Sequence, residues 1–281
     1  MSTVDPTTER PAGAHADGSA AAPERPRRRL GGELRLLAHQ IRFEQLSFWR
    51  NPQAAFFTFV FPVVIIVIFG ALFQGGQESD FFFGMSGMQY YTPVIAALSV
   101  LGACFSQLAI ILSMRRQNGI LKRLRATPLP AWVYFSGTLA HCVMVSFVLV
   151  ALVIGVGWLY GVPLPVDWPA LVACVVLAAA CFCALGVAIA SLVSNSEAAP
   201  AIVQFIQFPL VFLSGSYFPI HSDLLNTIAT VLPVRPLNEA MLTAFARGGG
   251  VEWQQLGILL AWGVLGTVIA VRRFRWDPKP E

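Results

Sequence analysis

Arg115–Pro130 reads RRQNGILKRLRATPLP and stands between two long apolar runs. It carries Arg115, Arg116, Lys122, Arg123 and Arg125 and no acidic residue. Basic residues beside membrane-length segments stay on the inner side of a membrane, so the stretch is expected to be a cytosolic loop. Gly119 opens a short helix, Ile120 to Ala126, that sets Ile120, Leu121 and Leu124 on one side and Lys122, Arg123 and Arg125 largely on the other. Thr127 precedes Pro128 and is disfavoured in the helical region, which ends the helix there. Two readings of the stretch stand: a solvated basic loop that only sets topology, or an amphipathic helix that docks on lipid or on another protein.

Composition sets the class. With 56% hydrophobic and 12% charged residues in 281, the chain has the make-up of an integral membrane protein. The net charge of +4 gathers at the ends of apolar runs, where topology accounts for it, and no nucleic-acid role is read from it. Cys104, Cys142, Cys174, Cys181 and Cys183 all fall inside apolar runs. Their odd number and spacing support neither a disulfide framework nor a zinc site, and small buried apolar side chains are the better account.

Along the chain, residues 1–32 are expected to form a cytosolic tail, disordered through its Pro, Ala, Gly and Ser content. Its arginines stand too far from the first apolar run for a signal peptide. Glu33–Arg50 reads as an amphipathic helix lying in the membrane interface, with Leu34, Leu37, Ala38, Ile41, Phe48 and Trp49 on its apolar face; an ordinary cytosolic helix packed on the bundle is the alternative. Asn51 and Pro52 then turn the chain inward. Six helical spans follow, at about 54–73, 90–113, 131–160, 169–193, 198–219 and 255–271. Ala180, Ala184 and Ala188 in the fourth allow close helix approach. Before the last span, Leu224–Leu232 and Leu237–Phe245 are each too short to cross and read as an external helical hairpin around Pro233 and Pro236. A cytosolic tail, 276–281, closes the chain. Lys and Arg number seventeen in the segments assigned to the cytosol and two, Arg235 and Arg247, outside, which sets both termini inside.

The spans contain no Asp, Glu, Lys or Arg, and no internal repeat is evident, against a transporter driven by an ion gradient. The chain has no GxxxxGK[ST] phosphate loop, no HExxH and no GxSxG with a following base. No catalytic, cofactor-binding or metal-binding residues are therefore assigned. A passive pathway, a receptor or assembly factor, and a pump powered by a partner remain, and the structured cytosolic loop favours the pump.

RRQNGILKRLRATPLPAWVYFSG resembles the cytosolic loop of ABC-2 type permeases, in which a pattern like RExGTLxRLxATPL precedes the third span. Arg116, Gly119, Leu121, Arg123, Leu124, Thr127 and Pro128 fall on it. FPLVFLSGSYFPIHSDLLNTIATVLPVRPLNEAM is similar to the family's fifth span and external hairpin, with Pro209, Leu213, Ser214, Gly215, Phe218, Pro219, Pro233 and Pro236 in place. The resemblance covers Glu33 to Arg275 and is nearest in flavour to daunorubicin-resistance-type drug exporters. Gln117 and Ile120 depart from the glutamate and threonine usual there.

The resemblance implies an all-α membrane permease in the cytoplasmic membrane, working as a homodimer or pair. A separate ABC ATPase subunit would bind the ATP and Mg that this chain does not. Contact with that subunit would come from Arg116, Gln117, Gly119, Ile120, Leu121, Arg123, Leu124, Thr127 and Pro128. The cargo would be a hydrophobic or amphipathic drug, antibiotic or lipid, moving along the first, second and fifth spans. Phe57, Phe61, Gln107, Gln204, Gln207 and Ser214 are the candidates for that path. Each glutamine has an equal claim as an interhelical hydrogen bond, worth about 1 kcal/mol. Lipid and polysaccharide exporters share this fold, and the phenylalanine content suits lipids or drugs better than a long sugar chain.

Overall fold

A computed structural model of the chain describes residues 30–73, 82, 84–127, 129–193, 195–217, 223–245 and 250–274. The two tails, the centre of the loop after the first span, Pro128, Phe218, Pro219 and Arg247 lie outside the described residues. The fold is all-helical, as the sequence predicts. Its elements are α1 (Leu30–Trp49), α2 (Pro52–Phe73), α3 (Gly87–Leu101), a π-helical segment (Gly102–Gln107), α4 (Leu108–Gln117) and α5 (Ile120–Ala126). After these come α6 (Ala131–Leu159), α7 (Trp168–Leu192), α8 (Ala199–Phe212), α9 (Asp223–Val231), α10 (Val234–Phe245) and α11 (Trp253–Arg273).

Among the described residues, five helices are long and apolar enough to cross a membrane: α2, the continuous α3–π–α4 rod of 31 residues, α6, α7 and α11. Their ends follow from local chemistry. Asn51 caps α2 through Ala54 N–H at 3.3 Å, and Pro52 occupies the first helical position, where its missing N–H costs nothing. Ser86 and Gln89 form a reciprocal capping box at the start of α3. Asp167, the one charge between α6 and α7, accepts from Ala170 N–H at 3.0 Å and from Gly250 N–H at 2.9 Å, capping α7 and tying the last loop to it.

The expected fifth span is shorter than the sequence reading. α8 stops at Phe212, giving 14 residues and a length of about 21 Å, less than the ~30 Å of a hydrocarbon core. The chain instead turns at Leu213–Tyr217, with Gly215 at φ 78°. Tyr90 and Tyr91 of α3 donate to the carbonyls of Gly215 and Tyr217 at 2.7 and 2.9 Å, and Asn238 of α10 donates to Ser216 at 2.7 Å. Non-helical backbone is held here by buried protein partners, which is where it is tolerated.

α3 sits at the centre, buried along nearly its whole length against α2, α6, α7 and α10. α7 and α11 make the broadest helix pair. A Cβ on Gly266 would lie 2.9 Å from Leu185 N and 3.0 Å from Ala184 C, so the two backbones meet at the small residues, as the spacing of Ala180, Ala184 and Ala188 anticipates. The hairpin expected before the last span is α9 and α10, with α10 packed into the bundle on α3, α7 and α11. Trp262 of α11 donates to the Val231 carbonyl at the end of α9, at 2.8 Å.

Candidate functional site

The Arg115–Pro130 stretch is only partly a loop. Arg115, Arg116 and Gln117 complete the last turn of α4, and each is tied to a different part of the bundle. The Arg115 guanidinium takes the Glu44 carboxylate of α1 in a two-pronged pair, 2.8 Å at each prong, and also donates to the Tyr134 hydroxyl of α6 at 3.1 Å. Gln40 and Thr138 donate to the same carboxylate at 3.1 and 3.4 Å. Planar bidentate pairing of this kind is the strong form of an ion pair. One cluster therefore joins α1, α4 and α6.

α1 packs on the bundle largely through polar side chains rather than through its apolar face. Leu34, Ala38 and Trp49 are exposed, whereas Gln40, Glu44 and Phe48, four residues apart, form the buried stripe. The reason is the partner: a carboxylate that finds Arg115 is worth turning inward, and the apolar side chains left outside can face lipid at the membrane interface. Sequence reasoning missed Glu44, Gln40, Tyr134 and Thr138. The available signal was the i, i+4 spacing of Gln40 and Glu44 on a helix otherwise sorted by hydrophobicity.

Arg116 is buried and donates to the carbonyl of Ala190 at 2.8 Å and to that of Val193, at the C-terminus of α7. A cation there satisfies orphan carbonyls and opposes the helix dipole. Gln117 accepts from Ser196 N–H at 2.7 Å. Arg116 and Gln117, expected at an ATPase contact, thus hold the α7–α8 connection; Gln117 is also exposed.

Gly119 takes φ 68°, a left-handed conformation that glycine adopts without penalty, and starts α5 in a new direction. Thr127 closes α5 with its hydroxyl on the Leu124 carbonyl at 2.6 Å and an extended backbone, as a residue before proline requires. The two leucines do not share a fate with Ile120. Leu121 is 0% exposed and belongs to the main core, Leu124 is half-buried against it, and Ile120 is 41% exposed. The reading of all three as one docking face is corrected: Leu121 anchors α5 to the bundle, Ile120 is exposed at the edge of a cavity that Met114 and Asn118 also border, and Lys122, Arg123 and Arg125 are exposed. Seven residues have too little helical stability of their own and need that anchor.

The family model of the ABC-2 type transporter matches residues 36–246 of the chain. The chain belongs to the ABC-2 type transporter family. It is the membrane-embedded permease component of an ABC transporter, a component that is generally non-catalytic. A comparison with curated proteins finds no match.

The candidate path residues of the permease differ in exposure. Phe57, Phe61 and Gln204 are exposed on the outer faces of α2 and α8. Gln107 is half-buried and accepts from Thr58 of α2 at 3.3 Å, and Gln207 accepts from Ser106 of the π segment, so both serve as interhelical bonds. Gln204, three residues before Gln207, is exposed where Gln207 is half-buried. Ser214 is buried in the turn after α8, bonded to the Val211 carbonyl and to Ser216 at 2.7 and 2.6 Å; its role there is to hold the turn rather than to line a path. A cavity of about 280 Å³ opens between α1, the π segment, α4 and α6, bordered by Glu44, Phe48, Gln107, Met114, His141 and Cys142.

Proposed function

We propose that the permease exports a hydrophobic or amphipathic compound, driven by a separate ABC ATPase subunit that docks on the outward face of α5 at the cytosolic side. The observation that carries this reading is the construction of α5: a basic surface with one exposed isoleucine, on a helix bolted to the bundle through Leu121 and directly preceded by the Arg115–Glu44 link to α1 and α6. A push on Ile120, Lys122 or Arg123 is thereby passed to two other helices. A second copy of the permease meets the first across α2 and α8. The support is the exposure of Phe57 and Phe61 on α2 and, on α8, of Phe205 with Gln204, a polar amide that is costly to leave against lipid. The same apolar surfaces suit a drug or lipid cargo passing between the copies.

Copurification of an ABC ATPase subunit with the permease from the membranes of its own cells tests the docking face. I120D and the K122E/R123E pair are expected to lower the copurified ATPase at least about ten-fold at equal membrane abundance, the effect of losing one buried apolar anchor or reversing rim charge. L121S serves as a contrast, expected to unseat α5 and lower the yield of folded permease itself, since it removes a fully buried leucine. Full ATPase binding by I120D and K122E/R123E would refute the docking face.

The purified permease alone is expected to hydrolyse no ATP above background, because the chain carries no phosphate-binding loop. Turnover in a phosphate-release assay that survives removal of every copurifying ATPase would refute a separate energy source.

A further inference from the structure

Cys104, Cys142 and Cys183 lie 38 and 41 residues apart along the chain and on three different elements, the π segment, α6 and α7. Sequence spacing therefore supports no metal site, but the fold brings the three together: their Sγ atoms all lie within 4.8 Å of one another, and all three residues are buried. Cys174 and Cys181, equally buried, are not part of the group. A metal–sulfur bond of about 2.3 Å sets the sulfurs of a trigonal site about 4 Å apart, so the cluster needs little movement to close on an ion.

We propose that these three cysteines form a soft-metal site for monovalent copper. Ligand softness and number select the ion. Thiols favour Cu(I), zinc or iron–sulfur clusters, but structural zinc and clusters take four protein ligands, whereas Cu(I) is satisfied by three sulfurs, and among the described residues no fourth histidine, cysteine or carboxylate joins the group.

The surroundings fit a bound ion. Ser146, fully buried on α6, stands 3.2 Å from Cys104 Sγ and can donate its hydroxyl to a thiolate there, the outer contact that metal-bound sulfur commonly has. Access is through the cavity of about 280 Å³, which Cys142 borders together with Met114, a thioether exposed at α4, and His141. The Nδ1 of His141 is buried with no hydrogen-bond partner among the described residues. A bound ion would tie the π segment of the central rod to α6 and α7, next to the point where Ser106 meets Gln207 of α8.

The test uses the full-length permease, reduced and in detergent, titrated with Cu(I) held by a chromophoric chelator. Wild type and the C174A/C181A variant are expected to take one Cu(I) per chain, with an X-ray absorption spectrum showing sulfur ligation only. C104S, C142S and C183S should each lose affinity by at least about ten-fold. Melting curves without copper report whether each variant folds, and added Cu(I) should raise the melting temperature of wild type and C174A/C181A but not of a folded cluster variant. The proposal is overturned by wild type that takes up no stoichiometric Cu(I), by retention in a folded cluster variant, by equal loss in C174A/C181A, or by tighter binding of Zn(II) than of Cu(I).

Discussion

Replacing Arg115 by Met is expected to lower the stability of the purified permease by about 3 to 5 kcal/mol. The size follows from the position of Glu44, whose side chain is 4% exposed and takes both prongs of the guanidinium at 2.8 Å. Without Arg115 the carboxylate stays buried with only Gln40 and Thr138 donating to it. Removing both charges together, E44Q with R115M, should return much of the loss, because a buried pair replaced by neutral groups is often close to neutral in stability. Denaturation midpoints of wild type, both single variants and the double variant close the cycle. Additive losses would show that the two residues are not coupled, and the link from α4 to α1 would then have no energetic content. Transport by the complex with its ATPase is expected to fall in parallel, since this pair ties the segment leading to α5 to its neighbours.

Gly186→Leu is expected to abolish recovery of folded permease, and Gly186→Ala to cost about 1 to 3 kcal/mol. A Cβ at position 186 would stand 3.0 Å from the carbonyl oxygens of both Cys104 and Phe105. These are backbone atoms of the π segment, which cannot swing aside as a flexible side chain would. Gly155 of α6 supplies the contrast: a Cβ there meets nothing within 4 Å and the position is exposed, so Gly155→Leu should be accepted. The monodisperse fraction in gel filtration after equal expression measures both. Gly186→Leu protein that elutes as well as Gly155→Leu would show that α7 does not need to approach the π segment so closely. π turns inside helices mark sites where an extra residue is accommodated, often with functional use, and this one is accommodated partly by the missing side chain of Gly186.

Much of the fold is readable along the chain because helix ends are decided over a few residues. The first span was expected at 54–73 and is Pro52–Phe73; the third, at 131–160, is Ala131–Leu159; the fourth, at 169–193, is Trp168–Leu192. The α5 boundaries coincide with the reading of Ile120 to Ala126, since Gly119 and the Thr127–Pro128 step act locally. The candidate site was less legible. Ile120 and the basic residues of α5 are exposed, but Leu121 is a core residue, and no pattern within a seven-residue helix distinguishes an anchor from a docking side chain.

Apolar run lengths, caps and the basic stretch between spans determine by themselves that this is a helical membrane protein, where most of its helices begin and end, and that α5 exists. These are short-range matters of hydrogen bonding and burial of whole segments. Only the tertiary structure decides which side of α1 turns inward, that α8 ends at Phe212, where the central rod takes a π turn, and that three cysteines meet. Each of these depends on groups far apart in sequence: Glu44 with Arg115, Tyr90 and Asn238 with the Gly215 turn, Gly186 with Cys104 and Phe105. The energies that settle them exist only once the helices stand side by side.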